Sequence, residues 1–375
     1  MIPVCVPLLG EKELEYVTDC LKTNWISSKG KYVEEFEDRF AKYCGCNYGI
    51  STTSGTTALH LALASIGVKE GDEVIIPAFT IISTAFAIVY CGAKPVLVDA
   101  EPETWNIDVN KIEEKITDKT KAIMPVHIYG HPCDMDPIMK IAKEHDLYVV
   151  EDAAEAHGAE YKGKKAGGIG HLGCFSFYAN KIITMGEGGI VVTNDEEIAE
   201  RAKSLKDLCF PKSKRIYLHS DVGFNYRLTN IQAAIGLAQL ERIDELAEMR
   251  RRNAYLYNEY LKDVEGIKRP PEKEWAKNVY WMYSIIIEDE FGMSRDDLMK
   301  KLEEKGVETR PFFIPMHEQP VFQKMGLFKG ERYPVAEELA RKGMYLPSSS
   351  GLREEEIRYI CEVIKEIREG KIKIK

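Results

Sequence analysis

The chain has 375 residues, of which 45% are hydrophobic, so it can bury a large core and is predicted to form two domains. Its net charge of −9 and its sequence pI of about 5.6 argue against nucleic acid or an anionic membrane as a partner. The first residues, MIPVCVPLLGEKELE, lack the basic start of a signal peptide, and the chain has no run of 18 uncharged apolar residues. Nine cysteines are scattered without a CxxC pair. We therefore expect a cytoplasmic protein with reduced cysteines and no membrane span.

Short apolar strands alternate with helical segments between residue 45 and about residue 210. This alternation predicts an α/β fold with a mostly parallel sheet covered by helices on both faces. Sheets of this kind bind ligands at the carboxyl ends of their strands. The predicted strands are 73–76, 95–98, 121–128, 147–150, 174–178 and 189–193, and the predicted helices are 56–66, 82–92, 109–117, 135–146 and 196–207.

A long helix is predicted over residues 230–264, with Thr229 as its N-cap. It would join a large domain, residues 1–245, to a smaller C-terminal domain, residues 246–375. Beyond it the pattern predicts a second domain of the α+β type. Its elements are a strand over 279–287, a helix over 294–305, a strand over 307–313 and a helix from 353 to about 369.

An aspartate and a lysine stand at the ends of two predicted strands. Asp152 closes the apolar run 147–150 and opens the string EDAAEAHG, and Lys181 follows a strand in CFSFYANKIITMGEGG. A lysine that leaves an apolar strand and enters a glycine-rich turn suits an amine nucleophile that forms a Schiff base with a carbonyl cofactor. An aspartate at a strand end suits the pyridinium partner of pyridoxal phosphate (PLP). Taken singly, Asp152 could cap a turn and Lys181 could be a surface lysine.

The string STTSGTTALHLALA predicts a phosphate cradle at the start of a helix. Gly55, Thr56 and Thr57 supply free backbone N–H groups and hydroxyls there, and Ser176 adds a hydroxyl five residues before the lysine. An ordinary capped helix would show the same string. The cradle, the acid and the lysine occur in the order that a PLP site requires, and this coincidence favours a PLP enzyme.

A second glycine-rich string, GGIGHLG over residues 167–173, has the GxGxxG spacing of a dinucleotide-binding turn. It follows a lysine-rich turn and precedes a strand, whereas the dinucleotide motif follows a strand and opens a helix. We therefore predict a loop. No Ser-His-Asp order or close set of metal ligands is visible, and His219 has no His or Cys near it, so no metal is expected.

Eight strings resemble the DegT-type nucleotide-sugar aminotransferases, which are fold-type I PLP enzymes. The resemblance runs from about residue 2 to residue 366. It is nearest to members that convert GDP-4-keto-6-deoxymannose to GDP-4-amino-4,6-dideoxymannose with L-glutamate. The strings are SGTTALHLALA, PAFTIISTAFA, KPVLVDAEPETWNID, VHIYGHPCDMD, VVEDAAEAHGA, FSFYANKIITMGEGG, GFNYRLTNIQAAIGLAQLERI and VETRPFFIPMH.

The resemblance implies a role for the residues around the cofactor ring. Lys181 matches the Schiff-base lysine and Asp152 the partner of the pyridine nitrogen. Glu155 falls where the family has Gln, Glu or His near the ring hydroxyl. Ile81 stands where many relatives stack an aromatic side chain on the ring, which is a departure from the pattern.

The resemblance also implies contacts to the cofactor phosphate and to the substrates. Thr56, Thr57 and Ser176 match phosphate contacts, and Asn225 matches an asparagine that reaches the phosphate across a homodimer interface, so active sites would be shared. Arg310 and His317 lie in a segment that approaches the sugar or the nucleotide in relatives.

Other substrates and functions stay open from the sequence. An aminotransferase of the same family could act on a dTDP- or UDP-linked ketosugar. A 3-dehydrase of this family generally has His in place of the lysine, so Lys181 argues against it. A different kind of function also stays open, that of a non-catalytic binding or regulatory protein with the same fold. The implied product would serve deoxyamino sugar biosynthesis for O-antigen or another polysaccharide.

Overall fold

The computed structural model describes residues 1–211, 217–219 and 221–370. Its strands are β1 (Tyr48–Thr52), β2 (Glu73–Pro77), β3 (Lys94–Val98), β4 (Thr120–Ile123), β5 (Tyr148–Asp152), β6 (Glu160–Tyr161), β7 (Lys164–Lys165), β8 (Leu172–Ser176), β9 (Gly189–Thr193), β10 (Ile267–Lys268), β11 (Ala276–Lys277), β12 (Tyr283–Ile287), β13 (Arg310–Pro311) and β14 (Gly343–Leu346). Its α-helices are α1 (Glu11–Thr23), α2 (Lys31–Tyr43), α3 (Gly55–Ser65), α4 (Ile82–Tyr90), α5 (Met135–Glu144), α6 (Glu196–Lys206), α7 (Asn230–Leu240), α8 (Ile243–Tyr260), α9 (Arg295–Glu304), α10 (Pro320–Lys324), α11 (Pro334–Lys342) and α12 (Glu354–Arg368).

The first 200 residues form a seven-stranded sheet in the order β1-β9-β8-β5-β4-β2-β3. The five strands from β8 to β3 run parallel, and β9 is antiparallel to both of its neighbours. Alternate side chains of β2 enter two separate cores. Val74 belongs to the core that includes Leu59 of α3, whereas Ile75 belongs to the core that includes Ile138 of α5. The prediction of a mostly parallel sheet with helices on both faces is therefore confirmed.

The C-terminal residues build a second, smaller sheet. Its four strands are all antiparallel, in the order β10-β12-β14-β13, and they share a core with α8, α9 and α12. Since α8 contains residues 245 and 246 and leads from the large sheet to the small one, the division of the chain between those residues stays a prediction. No helix among the described residues has both the length and the apolar character needed to cross a membrane.

The long helix predicted over residues 230–264 is wrong, because the chain breaks it into α7 and α8. The break falls at Glu241 and Arg242. The carboxylate of Glu241 is bound by Lys12 and Arg39, which lie on α1 and α2, and this ties the end of α7 to both helices. The predicted N-cap is confirmed, since the hydroxyl of Thr229 accepts a hydrogen bond from the backbone N–H of residue 232.

Two shorter predictions within the large domain also fail. The strand predicted over 121–128 ends at Ile123, and Pro125 beyond it has no N–H to donate to a sheet. The helix predicted over 109–117 forms only two short 3-10 turns, at 109–111 and 113–115.

Residues 167–171 of the glycine-rich string form a loop, as predicted, that leads into β8 and surrounds a buried carboxylate. Glu151 accepts hydrogen bonds from the backbone N–H groups of Gly167 at 2.7 Å, Ile169 at 2.7 Å and Gly170 at 2.6 Å. A Cβ atom on Gly168 would lie 2.1 Å from a backbone oxygen, so only glycine permits this close approach. The glycine-rich loop therefore binds the carboxylate of Glu151 in the same chain rather than a dinucleotide.

Candidate active site

A cavity of about 370 Å³ lies where the carboxyl ends of β5 and β8 meet the start of α3. Asp152 ends β5, Ser176 ends β8 and Gly55 begins α3, and all three line the cavity. Trp281 and Tyr345 from the C-terminal part of the chain line it too. The cavity thus occupies the edge at which a sheet of this type binds ligands.

Asp152 is a buried carboxylate with two fixed hydrogen bonds. Its Oδ2 accepts from the hydroxyl of Thr84 at 2.8 Å, and its Oδ1 accepts from the backbone N–H of Ala154 at 3.2 Å. Burial raises the pKa of the Asp152 carboxyl, while the two hydrogen bonds and the charge of Lys181 oppose this rise. A buried carboxylate held in this way is suited to a cationic partner.

Lys181 supplies an amine of altered basicity to the same cavity. The lysine lies in the turn after β8, where its backbone N–H donates to the carbonyl of Tyr178 at 2.9 Å. Its Nζ lies 3.7 Å from the centroid of the Trp281 ring. Burial lowers the pKa of the Lys181 amine, and the carboxylates of Glu155 and Asp152 act in the opposite direction. A lowered pKa leaves more of the neutral amine, which is the nucleophilic form.

Glu155 is a second buried carboxyl beside the lysine. Its Oε2 accepts a hydrogen bond of 2.7 Å from the backbone N–H of Tyr129. Tyr129 has a φ of 53°, a left-handed conformation that is uncommon outside glycine. Burial raises the pKa of Glu155, and the charge of Lys181 opposes the rise. Burial thus favours the protonated form of Glu155, whereas the amine of Lys181 favours the carboxylate.

The predicted phosphate cradle lies at the start of α3, next to the cavity. Ser54 caps the helix, and its Oγ accepts from the backbone N–H of Thr57 at 3.2 Å. Thr56 lines the cavity, with its hydroxyl donating to Oγ of Ser83 at 3.0 Å. A Cβ atom on Gly55 would lie 2.6 Å from the Cβ of Ser176, so glycine lets the helix start approach β8. Free N–H groups and hydroxyls at a helix start bind a phosphate dianion well.

The structure brings seven predicted residues to this cavity: Gly55, Thr56, Ile81, Asp152, Glu155, Ser176 and Lys181. Four others are not among the described residues that line it. The hydroxyl of Thr57 is used in the helix cap, Asn225 is exposed on another segment, Arg310 pairs with Glu308, and Nε2 of His317 lies 3.1 Å from a Glu337 oxygen.

Sequence reasoning missed Thr84, which binds Asp152, and several residues that line the cavity, among them Trp281 and Tyr345. Thr84 lies on α4, four residues after Thr80, which precedes the helix, and this pair of hydroxyls in the mostly apolar string PAFTIISTAFA is a signal that could have been used. Trp281 and Tyr345 come from distant parts of the chain, and their strings read as ordinary core.

The donor set of the cavity fits PLP. The helix start and its hydroxyls suit the phosphate, the buried Asp152 suits a protonated ring nitrogen, and the amine of Lys181 suits the carbonyl. The class of protein that this fold and this cavity define is a PLP-dependent aminotransferase.

Comparison with known proteins identifies the family. The profile of the DegT/DnrJ/EryC1/StrS aminotransferase family matches residues 7–365, and the chain belongs to this family. It is 45% identical to the GDP-perosamine synthase of Caulobacter vibrioides over 98% of both chains, and 45% identical to that of Escherichia coli O157:H7 over 99% of both. The PLP form of Spr1654 from Streptococcus pneumoniae is similar in structure, with a TM-score of 0.92, 28% identity and coverage of 99% of this chain and 100% of that one. The protein is thus a PLP-dependent sugar aminotransferase, as the resemblance implied.

Proposed function

We propose that the protein transfers the amino group of L-glutamate to the C4 ketone of GDP-4-keto-6-deoxymannose, which gives GDP-perosamine. The observation that carries the chemistry is the meeting of the Lys181 amine with the Asp152 carboxylate in one cavity. The choice of nucleotide and sugar is supported by the 45% identity to two GDP-perosamine synthases over nearly their whole length.

The residues of the cavity divide the work between proton transfer and charge stabilisation. When bound, PLP supplies an electron sink for the carbanion that forms at the substrate carbon. We assign to Nζ of Lys181 the attachment of the cofactor and, once it is freed by the amino donor, the movement of the proton at the substrate carbon. Asp152 would hold the proton on the ring nitrogen, and Glu155 would accept a hydrogen bond from the ring hydroxyl. Ile81, which lines the cavity, would lie against the ring.

We propose that Gly55, Thr56 and Ser176 bind the phosphate and that Thr57 acts with them through the cap of α3. Asn225 would reach the phosphate from the second chain of a homodimer. This residue is exposed and does not line the cavity of its own chain among the described residues, which supports a role in the partner's cavity. Exposed apolar side chains, such as Leu14 on α1, are suited to burial in a subunit interface.

The segment that carries Arg310 and His317 is proposed to approach the substrates. Phe313, which lies between them, lines the cavity, and this supports the proposal. Arg310 is exposed and suits a carboxylate or a phosphate. His317 is nearly buried and contacts Glu337, so it would act after exchanging that partner.

We further propose a cytoplasmic enzyme whose product enters the synthesis of O-antigen or another polysaccharide. All nine cysteines are free, which is typical of proteins from a reducing compartment. GDP-perosamine is a donor of an amino sugar, so a glycosyl transfer is the reaction class that would consume it.

The test uses the purified protein with PLP and L-glutamate. GDP- and dTDP-linked 4-keto-6-deoxyhexoses are supplied together, and the masses of the nucleotide sugars are measured by mass spectrometry. A GDP-linked amine alone supports the proposal. A dTDP-linked amine alone keeps the chemistry and overturns the substrate. With neither amine formed, UDP-linked ketosugars are tried next. The Lys181→Ala protein serves as the matched control for amine formed without enzyme.

A further inference from the structure

Trp281 touches the active-site amine, yet none of the roles proposed above uses it. The Nζ atom of Lys181 lies 3.7 Å from the centroid of the Trp281 ring. An ammonium over an indole face within about 6 Å is attracted by the negative face of the ring, and more strongly where water is excluded. Trp281 is only 3% exposed, so the contact is well shielded from water.

Several contacts fix the indole where it meets the lysine. Its Nε1–H donates to the carbonyl of Asn180 at 2.8 Å, and Asn180 directly precedes the lysine in the chain. The Tyr129 ring stacks at 6.3 Å between centroids with 21° between the planes. The backbone carbonyl of Trp281 accepts from the buried guanidinium of Arg250 at 2.8 Å. The ring is therefore held rigidly against the turn that bears the lysine.

The face of an indole differs from a carboxylate in what it can do with a proton. A carboxylate attracts an ammonium group and can also take its proton, whereas the indole has only a donor N–H, and here that N–H is used by Asn180. An ammonium group over the ring is held by its positive charge, and the ring does not remove its proton. Glu155 and Asp152 act on the same amine through their charges.

We propose that Trp281 is a positioning residue that holds Lys181 over its ring while the freed lysine carries the transferred proton as an ammonium group. The lysine side chain would otherwise sample many rotamers or turn toward the two carboxylates. Held on the ring, Nζ stays in one place between proton transfers. The inference rests on the proposed function of Lys181, but the contact itself can be tested without turnover.

The test measures the pKa of Lys181 in the full-length protein after removal of the cofactor. The wild type, Trp281→Phe and Trp281→Leu are exposed briefly to isotopically labelled acetic anhydride over a range of pH. Labelling of the Lys181 peptide is then followed by mass spectrometry. Only the neutral amine is acylated, so the midpoint in pH reports the pKa, and access to the site alters the rate but not the midpoint. The exposed Lys140 serves as the internal reference in each digest.

Both variants lose the indole N–H, but only the Phe variant keeps an aromatic face. Because the ring stabilises the charged form, the midpoint is expected to fall by about one pH unit in the Leu variant relative to the Phe variant. Equal midpoints in the two variants would overturn the proposal. If the Leu variant does not fold by circular dichroism, Trp281→Met replaces it in the same comparison.

The proposed function and this inference fail separately. Turnover that survives Lys181→Ala would overturn the role of the lysine and leave the labelling result standing. A kcat for Trp281→Phe near that of the wild type, with a larger loss for Trp281→Leu, is the expected rescue by the aromatic variant. Equal kcat losses in both would show that the face of the ring does not matter for turnover and would overturn the positioning role.

Discussion

The hydroxyl of Thr84, near the start of α4, donates a hydrogen bond of 2.8 Å to Oδ2 of Asp152 at the end of β5. The hydroxyl oxygen of Thr84 also lies 3.0 Å from that of Thr80, which precedes the helix. The first turn of a helix thus sets the orientation of a carboxylate on a strand. The hydrogen bond favours the charged form of Asp152 and opposes the effect of burial, which raises the pKa of this carboxyl.

Replacing Thr84 by Val removes this donor and keeps the shape of the side chain. The pKa of Asp152 should rise further, so that ionisation occurs at higher pH and the acid limb of kcat/KM moves upward. Since a hydrogen bond to a charged group is worth about 1.5–3 kcal/mol, PLP affinity near neutral pH should fall by about tenfold or more. The affinity is measured by titration of absorbance at several pH values. Thr80→Val is the comparison, because it removes a partner of the Thr84 hydroxyl and leaves the donor to Asp152 in place. An acid limb that is the same in both variants would contradict the prediction.

Asp152→Asn should stabilise the cofactor-free protein while weakening its response to PLP. Burial raises the pKa of Asp152 above the ordinary 3.8, so the folded state holds its proton more tightly than the unfolded state. Stability therefore falls as pH rises from the unfolded pKa through the folded one, and stays reduced above it. Asparagine removes this loss, so the thermal midpoint at pH 8 should rise without PLP. Addition of PLP should raise the midpoint less than in the wild type, and an equal rise in both proteins would contradict the role of Asp152.

Lys181→Ala should reduce turnover by at least about a thousandfold, because it removes the group that transfers the proton at the substrate carbon. The rate is measured as amine product by mass spectrometry. Lys140→Ala, which changes an exposed lysine, is the control and should leave the rate unchanged. Substantial activity in the Lys181→Ala protein would show that another group moves the proton.

A mixture of two inactive variants tests whether the active sites are shared. If Asn225 reaches the cavity of the second chain, a dimer of one Lys181→Ala chain and one Asn225→Ala chain contains one intact site. Random remixing of equal amounts makes half of the dimers mixed, so activity should return to about a quarter of the wild-type value. Each variant remixed with itself is the control. The absence of any recovery, with mixed dimers shown by native mass spectrometry, would place Asn225 in its own chain's site.

Glu151→Gln should lower stability through the loop that the carboxylate holds. Besides its three backbone donors, Glu151 accepts from Nε2 of His127 at 2.9 Å, since Nδ1 of that ring accepts from the backbone N–H of Cys133 and leaves the proton on Nε2. Glutamine has an NH2 group where one carboxylate oxygen stood. That group faces buried N–H donors and cannot accept from them, so the free energy of unfolding should fall by about 3 kcal/mol. A lower thermal midpoint than that of Glu144→Gln, an exposed control, is the expected result. Equal midpoints would show that the loop keeps its shape without the charge.

The sequence predicted the sheet, and it singled out seven residues that the structure brings to one cavity, because both follow from local patterns. Asp152 and Ser176 end apolar strands, and the carboxyl ends of parallel strands share an edge, so their meeting could be expected. The start of α3 was visible from its capping residues. These features depend on a few residues in a row.

The features that were missed depend on contacts between distant segments. The break between α7 and α8 arises from bonds of Glu241 to α1 and α2, about 200 residues earlier in the chain. Trp281 follows the lysine by 100 residues, and nothing in its own string distinguishes it from a core tryptophan. The periodicity of apolar residues predicts which side of a helix or strand is buried. It does not predict which buried side chain lies beside a reactive atom.

The loop around Glu151 has a consequence for reading glycine-rich motifs in general. Three converging N–H groups make a small receptor for an oxyanion, and here the oxyanion is tethered to the same chain. Because the Glu151 carboxylate belongs to the same chain, its effective concentration at these N–H groups is very high, and a free phosphate or nucleotide would have to displace it. A GxGxxG match thus identifies a backbone that can approach negative charge closely, and the source of that charge has to be sought in the fold.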